Sequence, residues 1–297
     1  MSDEPEIRER DLPKGRGLTW GRGLTWVRLL TWLYWASAAG LAPWIVVLFL
    51  TQVRRGQAHQ VHILAVGLVL AMMLGLLVTA WLYSRDSWLS VMAASFTATV
   101  TFISAWFRGL TQTGTSESAG SIATFLVLVT AIIVLCVITI RAELAALTGT
   151  AASGDRTALP YAGTALARTA THARWLTIAL AIAALALVPS VVIVLAARPG
   201  VQIATHLRLA WTGLDVFELL ALAHTGSALH RRSVTVVVPA TITGALLLCD
   251  AWINVIPTHA AARTEGIALA FVEVPMAALS FWVATRAMSY PAADRLG

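Results

Sequence analysis

Four carboxyl groups and one side-chain amide lie inside long apolar runs in the second half of the chain. Asp215 and Glu218 fall in one run, Asp250 and Asn254 in the next, and Glu273 in the last. Ionisable side chains are costly within a membrane, so those that occur there usually mark binding sites or ion paths. The sequence therefore predicts an acidic site inside a membrane.

Helical spacing brings several of these residues to one face. Positions 208, 211, 215 and 218 are separated by three or four residues, which are neighbouring positions on a helix surface. Estimated depths in the membrane place the acids along one cavity that opens outward, with two tryptophans as aromatic walls. The predicted binding residues are Arg208, Trp211, Asp215, Glu218, Asp250, Trp252, Asn254 and Glu273. No residue is assigned a catalytic role, and neither a metal ligand nor a cofactor is predicted.

The charges of this set do not balance, because the carboxyl groups outnumber the one arginine. At least one acid is therefore expected to hold a proton, or the group is expected to take a cation. The alternative is a purely structural role. In that case Arg208 pairs with Asp250 or Asp215, and the other acids form hydrogen bonds between helices.

The elements that must position these groups are membrane-spanning helices. The 297 residues are 58% hydrophobic and 12% charged, whereas soluble domains carry about a quarter charged residues. Continuous apolar runs of about 20 residues, without alternation, predict helices that cross the bilayer. We predict an all-α integral membrane protein with eight spans. They cover residues 29–53, 60–83, 87–107, 120–141, 174–197, 203–229, 233–256 and 264–287.

The positive charge of the chain is concentrated on one side of the predicted membrane. The net charge of +6 does not indicate nucleic-acid binding, because the arginines lie between spans. They are most frequent before the first span, between spans four and five, and between spans six and seven. The positive-inside rule then predicts a multi-pass protein with both termini in the cytoplasm. The lipid bilayer is the expected partner, and the sequence leaves the oligomeric state open.

The two halves of the chain resemble each other at one constant spacing. Pro43 aligns with Pro189 (189 − 43 = 146), and the same offset pairs Gly67 with Gly213 and Trp106 with Trp252. Chance matches of alanine or leucine would not pair these rarer residue types at one offset. We predict two tandem, parallel four-helix repeats.

The repeats divide the chain into four predicted segments. These are a basic cytoplasmic leader (1–28), the first repeat (29–141), a cytoplasmic linker (142–173) and the second repeat (174–290). The first repeat has no acids at the positions equivalent to the acidic site. Those positions hold His62, Val69, Met72, Ser104, Arg108 and Val127.

The motifs of the second repeat resemble a family of actinobacterial integral membrane proteins with four spans. The shared pattern is Trp-x-Gly-x-Asp-x-x-Glu from Trp211, Asp-Ala-Trp-x-Asn from Asp250, and Glu-x-Pro from Glu273. The family is expected to have aspartate where this chain has Asn254. The resemblance implies a bacterial inner membrane and a duplicated four-span unit, and it implies no activity.

Three functions fit the predicted site. A proton- or cation-coupled transporter would use the carboxyl groups at mid-depth and the proline-interrupted last helix. An intramembrane enzyme acting on an isoprenoid or lipid would use a carboxyl group as acid and tryptophan faces to stabilise a carbocation. A non-catalytic membrane subunit would use the acids only for packing. The ligand is correspondingly an ion, a small molecule or a lipid, and the sequence does not decide whether the protein is an enzyme.

Overall fold

Helices form every regular element in the described part of the chain. The computed structural model describes residues 24–55, 59–85, 87–111, 119–152, 202–231, 233–255 and 260–293, together with 178, 182 and 185. Within these ranges seven α-helices occur and no strand. They are α1 (Leu24–Arg55), α2 (His59–Ser84), α3 (Leu89–Thr111), α4 (Ala119–Ala152), α5 (Gln202–His230), α6 (Val237–Val255) and α7 (Ala260–Ala293). A 3₁₀ turn, Val234–Val236, leads into α6.

Five of these helices are long and apolar enough to cross a membrane. Their candidate spans are Val66–Ser84, Leu89–Gly109, Ala123–Ala145, Val237–Val255 and Gly266–Ala287. Such length and composition are typical of a multi-pass membrane protein. In the described part of the chain α1 and α5 do not meet this standard, and α5 is the helix that carries Asp215 and Glu218.

The helices agree with the sequence-based spans in position but differ in length. Helix α4 continues past the predicted span end at 141 to Ala152, because the residues after Arg141 are rich in alanine and leucine, which favour helix. The predicted fifth span, 174–197, lies outside the described residues apart from three isolated positions. The leader 1–28 is described only from residue 24, and the linker 142–173 only to residue 152.

Neighbouring helices pack in the order expected for antiparallel hairpins. Helix α1 packs on α2, α2 on α3 and α3 on α4, while α5 packs on α6 and α6 on α7. Helix α3 also contacts both α5 and α6, so it connects the two halves of the molecule. Many large apolar side chains point away from this packing, among them Phe271, which is 76% exposed, and Val127, which is 71% exposed. An apolar outer surface is what lipid solvates, and it would be unfavourable in water.

Hydroxyl groups link the helices in the interior. The side chains of Thr79 on α2 and Thr97 on α3 are 3.4 Å apart. The side chains of Thr225 on α5 and Thr243 on α6 are 2.9 Å apart. Tyr34 on α1 donates a hydrogen bond of 2.8 Å to Thr139 on α4. Such hydrogen bonds between helices contribute to packing inside a membrane, where apolar burial between helices gives little.

Candidate functional site

Three helices bring the acidic residues of the second half together. Asp215 and Glu218 lie three residues apart on α5, so they project from one face of that helix. On α6, Asp250 and Asn254 are four residues apart and also share a face. Helix α7 contributes Glu273. We call these five residues the acidic cluster.

The carboxylates at the centre of the acidic cluster are close to one another. One oxygen from each of Asp215, Glu218 and Asp250 lies within 4.8 Å of the other two. Glu218 is 1% exposed and Asp250 is 6% exposed, whereas Asp215 is half-buried. Like charges at this range repel strongly in a medium of low dielectric constant. Three ionised carboxylates therefore require compensation by a positive charge.

The side-chain amide of Asn254 bridges α6 and α7. Its Nδ2 donates a hydrogen bond of 3.1 Å to Oδ2 of Asp250 and one of 3.0 Å to Oε1 of Glu273. A single amide therefore donates to two carboxyl groups on different helices.

Three buried carboxylate oxygens of the acidic cluster make no hydrogen bond within the described part of the chain. They are Oε1 of Glu218, Oδ1 of Asp250 and Oε2 of Glu273. Buried oxygens without a donor are costly, by about 1–3 kcal/mol each and more when charged. Among the described residues, the acidic cluster therefore has more hydrogen-bond acceptors than its neighbours have donors. An excess of buried acceptor oxygens favours the binding of a cation.

Close contact between two helices holds Asn254 and Glu273 in place. Gly266 of α7 lies directly against the backbone carbonyl of Asn254, and a methyl group at Gly266 would overlap that oxygen. Nearer the start of α6, where it packs against the later part of α7, a methyl group at Gly244 would lie 2.9 Å from the ring of Phe281. Helices α6 and α7 thus approach as closely as small residues allow.

A tryptophan of the first half fixes the helix that carries Asp215. The indole of Trp106 on α3 lies against Gly213 of α5, where a side chain would overlap its ring. Nε1 of Trp106 also donates a hydrogen bond of 3.0 Å to the carbonyl of Ala210. Phe217 packs edge-on against Trp106, with the ring centroids 5.3 Å apart. These contacts fix the rotation of α5 about its own axis and its position along that axis, next to the acidic cluster.

The two tryptophans of the predicted site pack against the first half of the chain, while the side chain of Arg208 lies outside the described residues. The ring of Trp211 packs edge-on against Phe107 of α3, at 6.1 Å between centroids. Trp252 is two residues from Asp250, which places it on the opposite side of α6. It is 48% exposed and lies against Gly67 of α2, so it does not form an aromatic wall of the cluster.

The equivalent positions in the first half form ordinary packing. Val69 and Met72 are buried in the apolar core, and Ser104 is buried as well. The guanidinium of Arg108 lies 4.4 Å from the centroid of the Phe125 ring. Among the described residues, the only group of three acids, histidines or cysteines with converging ligand atoms is therefore in the second half.

On α6 and α7, the residues of the acidic cluster lie toward the end of the helix pair at which α6 ends and α7 begins. Asp250 is five residues before the end of α6 at Val255, about 7.5 Å at the rise of an α-helix. Glu273 is seven residues after the start of the candidate span at Gly266, or about 10 Å. On α5, Asp215 and Glu218 lie near the middle of the helix.

Sequence reasoning did not single out Gly266 or Trp106 as residues that position the site. Gly266 precedes Glu273 by seven residues, or two helical turns, so both lie on one face of α7. That spacing was a usable signal for Gly266. Trp106 gave no such signal, because its role depends on a contact between the two halves of the chain.

No protein-family model, no curated protein and no solved structure shows significant similarity to the chain.

Proposed function

We propose that this membrane protein is a transporter whose acidic cluster binds a proton or another cation on its way across the bilayer. The observation that carries the proposal is the convergence of Asp215, Glu218 and Asp250 within 4.8 Å, inside helices with apolar outer surfaces. A purely structural role would favour acids that are each paired with donors, whereas Glu218 and Asp250 have unpaired oxygens.

The carboxyl groups of the cluster differ in burial. Asp215 is half-buried while Glu218 is almost completely buried, so the cluster extends from the interior toward the outside of the packed helices. Two residues after Glu273, Pro275 lacks an amide hydrogen, so the carbonyl of Phe271 loses its usual helical partner. Helix α7 continues through Pro275, and this carbonyl adds an acceptor on the helix that carries Glu273.

Flux measurements in proteoliposomes test the proposal. Purified protein is reconstituted, an ion gradient is imposed, and proton movement is followed with an entrapped pH-sensitive dye while metal-ion movement is followed with a metal-sensitive dye. The native chain should move a cation, and Asp215→Asn should reduce the rate at least tenfold. Glu143→Gln is the matched control, because Glu143 is a buried acid on α4 outside the cluster. Equal rates in the native chain, Asp215→Asn and empty liposomes would refute transport.

An enzyme acting on an isoprenoid or lipid has less support from the structure. That alternative depends on aromatic faces around the acids, and Trp252 faces away from them. A non-catalytic subunit corresponds to the outcome in which the acidic substitutions change neither flux nor binding.

We also propose that the chain arose by duplication and contains eight spans in two parallel repeats. Reciprocal contacts support this. Gly67 lies against Trp252, and Gly213 lies against Trp106. Each glycine is 146 residues from the other glycine, and each tryptophan is 146 residues from the other tryptophan. When the glycine of each repeat contacts the tryptophan of the other repeat, the two repeats are related by a two-fold axis.

Hydrogen bonds within each half support the duplication at the same offset. The Thr79–Thr97 pair corresponds to the Thr225–Thr243 pair. The turn after α2 contains a bond from the amide of Ser87 to the carbonyl of Leu82, and the turn after α5 contains one from Ser233 to Ala228.

We also propose that the protein lies in a bacterial inner membrane with both termini in the cytoplasm. The arginine distribution supports this orientation. The tryptophan, acid and proline pattern of the second half supports membership of the actinobacterial four-span family described above.

A further inference from the structure

The separation of the carboxylates in the acidic cluster matches that of ligands around one metal ion. Oxygens bound to a cation at about 2.1–2.5 Å are at most about 4–5 Å apart when they lie on opposite sides of it. One oxygen from each of Asp215, Glu218 and Asp250 meets this condition, since all three lie within 4.8 Å of one another. Rotation of these three side chains about their own bonds would bring one oxygen of each to a single ion.

An independent observation indicates that a ligand is needed at this place. Glu218 and Asp250 are 1% and 6% exposed, and each has a carboxylate oxygen with no hydrogen-bond donor among the described residues. Both side chains extend into the space between α5 and α6 where the three carboxylates meet. A cation between them would supply the missing electrostatic partner for both oxygens at once.

On this basis we propose that Asp215, Glu218 and Asp250 hold one divalent metal cation of the hard class, such as Mn²⁺ or Mg²⁺. The proposal rests on the cation-binding function above and specifies the ion. It departs from the sequence analysis, which predicted no metal ligand, because spacing along the chain did not show that α5 and α6 bring these oxygens together.

The number of charges favours a divalent ion over a monovalent one. Glu218 and Asp250 are buried and each has an oxygen without a hydrogen-bond donor among the described residues, so a divalent ion can neutralise both charges where a monovalent ion neutralises one. Asn254 stabilises the same pair, because its amide donates to Asp250. Buried charge that is left unpaired is strongly destabilising.

The type of ligand favours a hard ion over zinc or copper. Among the described residues, the converging group contains three carboxylates and neither a thiol nor an imidazole. Carboxylate oxygens suit magnesium, manganese and calcium. Calcium takes six to eight oxygens, while magnesium is commonly bound by one or two carboxylates and several waters. The half-buried side of Asp215 leaves room for water to complete the shell of the smaller ion.

Manganese binding to the purified full-length chain tests the proposal. The protein is placed in nanodiscs of neutral phosphatidylcholine and treated with a chelator, which is then removed. Mn²⁺ is titrated in, and the free ion is measured by electron paramagnetic resonance. The native chain should bind about one Mn²⁺, and excess Mg²⁺ should displace it. Glu218→Gln and Asp250→Asn should each weaken binding at least tenfold, while Glu143→Gln should bind as the native chain does.

Two results would overturn the metal proposal. One is the absence of saturable Mn²⁺ binding by the folded native chain, which does not depend on whether any variant folds. The other is undiminished binding in Glu218→Gln. Proton flux without manganese binding would refute the metal site and leave transport intact. Manganese binding without flux of any ion would support the metal site and refute transport.

Discussion

The amide of Asn254 donates a hydrogen bond of 3.0 Å to Oε1 of Glu273, and this contact joins α6 to α7 at the acidic cluster. The same nitrogen donates to Asp250, so one amide group serves two carboxyl groups. An aspartate at this position would replace a double donor with a further acceptor. The pairing of Asp250 with Glu273 across α6 and α7 therefore depends on this amide.

Replacement of this amide should destabilise the protein. Asn254→Ala removes both donors and leaves two buried acceptors unpaired, so the free energy of unfolding should fall by about 1–3 kcal/mol. Unfolding in detergent, followed by circular dichroism, measures the change. Thr130→Ala is the control, since it removes an exposed hydroxyl bonded only to its own helix, and it should change stability by less than about 0.5 kcal/mol. Equal stability of Asn254→Ala and the control would contradict the assigned hydrogen bonds.

A methyl group at the contact between α6 and α7 should separate these helices. In Gly266→Ala the new Cβ overlaps the backbone oxygen of Asn254, and backbone cannot move aside as a flexible side chain can. We expect a loss of about 1–3 kcal/mol and weaker cation binding, because displacement of Asn254 would disturb its hydrogen bond to Asp250.

Gly40→Ala is a matched control for Gly266→Ala. Gly40 is also helical, and nothing lies within 4 Å of a Cβ placed there. Alanine favours helix over glycine, so this variant should be as stable as the native chain or slightly more so. Similar effects of the two substitutions in thermal unfolding would show that α6 and α7 are not in close contact at Gly266.

The contact between Trp106 and Gly213 should be visible as energetic coupling. Gly213→Ala should be strongly destabilising in the native background, because the methyl group overlaps the indole ring. In a Trp106→Ala background the same change should cost much less. A double-mutant cycle on unfolding free energies should give a coupling of about 1–3 kcal/mol. Additive effects of the two substitutions would mean that the two residues do not touch.

The predicted topology can be tested with reporter fusions. Fusion of a reporter that is active only in the cytoplasm to the C-terminus, and separately to the N-terminus, should give activity at both ends. A fusion after Val255 should be inactive, because that end of α6 is predicted to face outward. Activity of only one terminal fusion would contradict an even number of spans.

The sequence was sufficient to predict an all-helical chain with helices long and apolar enough to cross a membrane. Long apolar runs specify such helices directly, and spacing of three or four specifies which side chains share a helix face. Asp215 and Glu218, which this spacing assigns to one face, both lie on α5.

The sequence did not specify how the faces of different helices meet. Trp252 was predicted beside the acids because it is close to Asp250 in the chain, yet two residues correspond to more than half a helical turn. Its partner is Gly67, on a helix of the other half. The convergence of Glu218 with Asp250 likewise depends on the contact of α5 with α6, which Trp106 and Gly213 help to fix.

Chemical cross-linking between α5 and α6 tests the central claim, the convergence of the carboxyl groups, most directly. Asp215→Cys and Asp250→Cys are combined in a chain in which Cys136 and Cys249 are replaced by alanine, and a short bismaleimide is added in membranes. The oxygens of these aspartates are within 4.8 Å, so both thiols should lie within reach of this reagent, which spans a wider separation than a disulfide does, and the pair should cross-link rapidly. A control pair joins Asp250→Cys to Leu220→Cys, which replaces a residue that is 60% exposed on the outer surface of α5; it should not cross-link. Failure of the first pair, or equal rates in both, would contradict a shared acidic site.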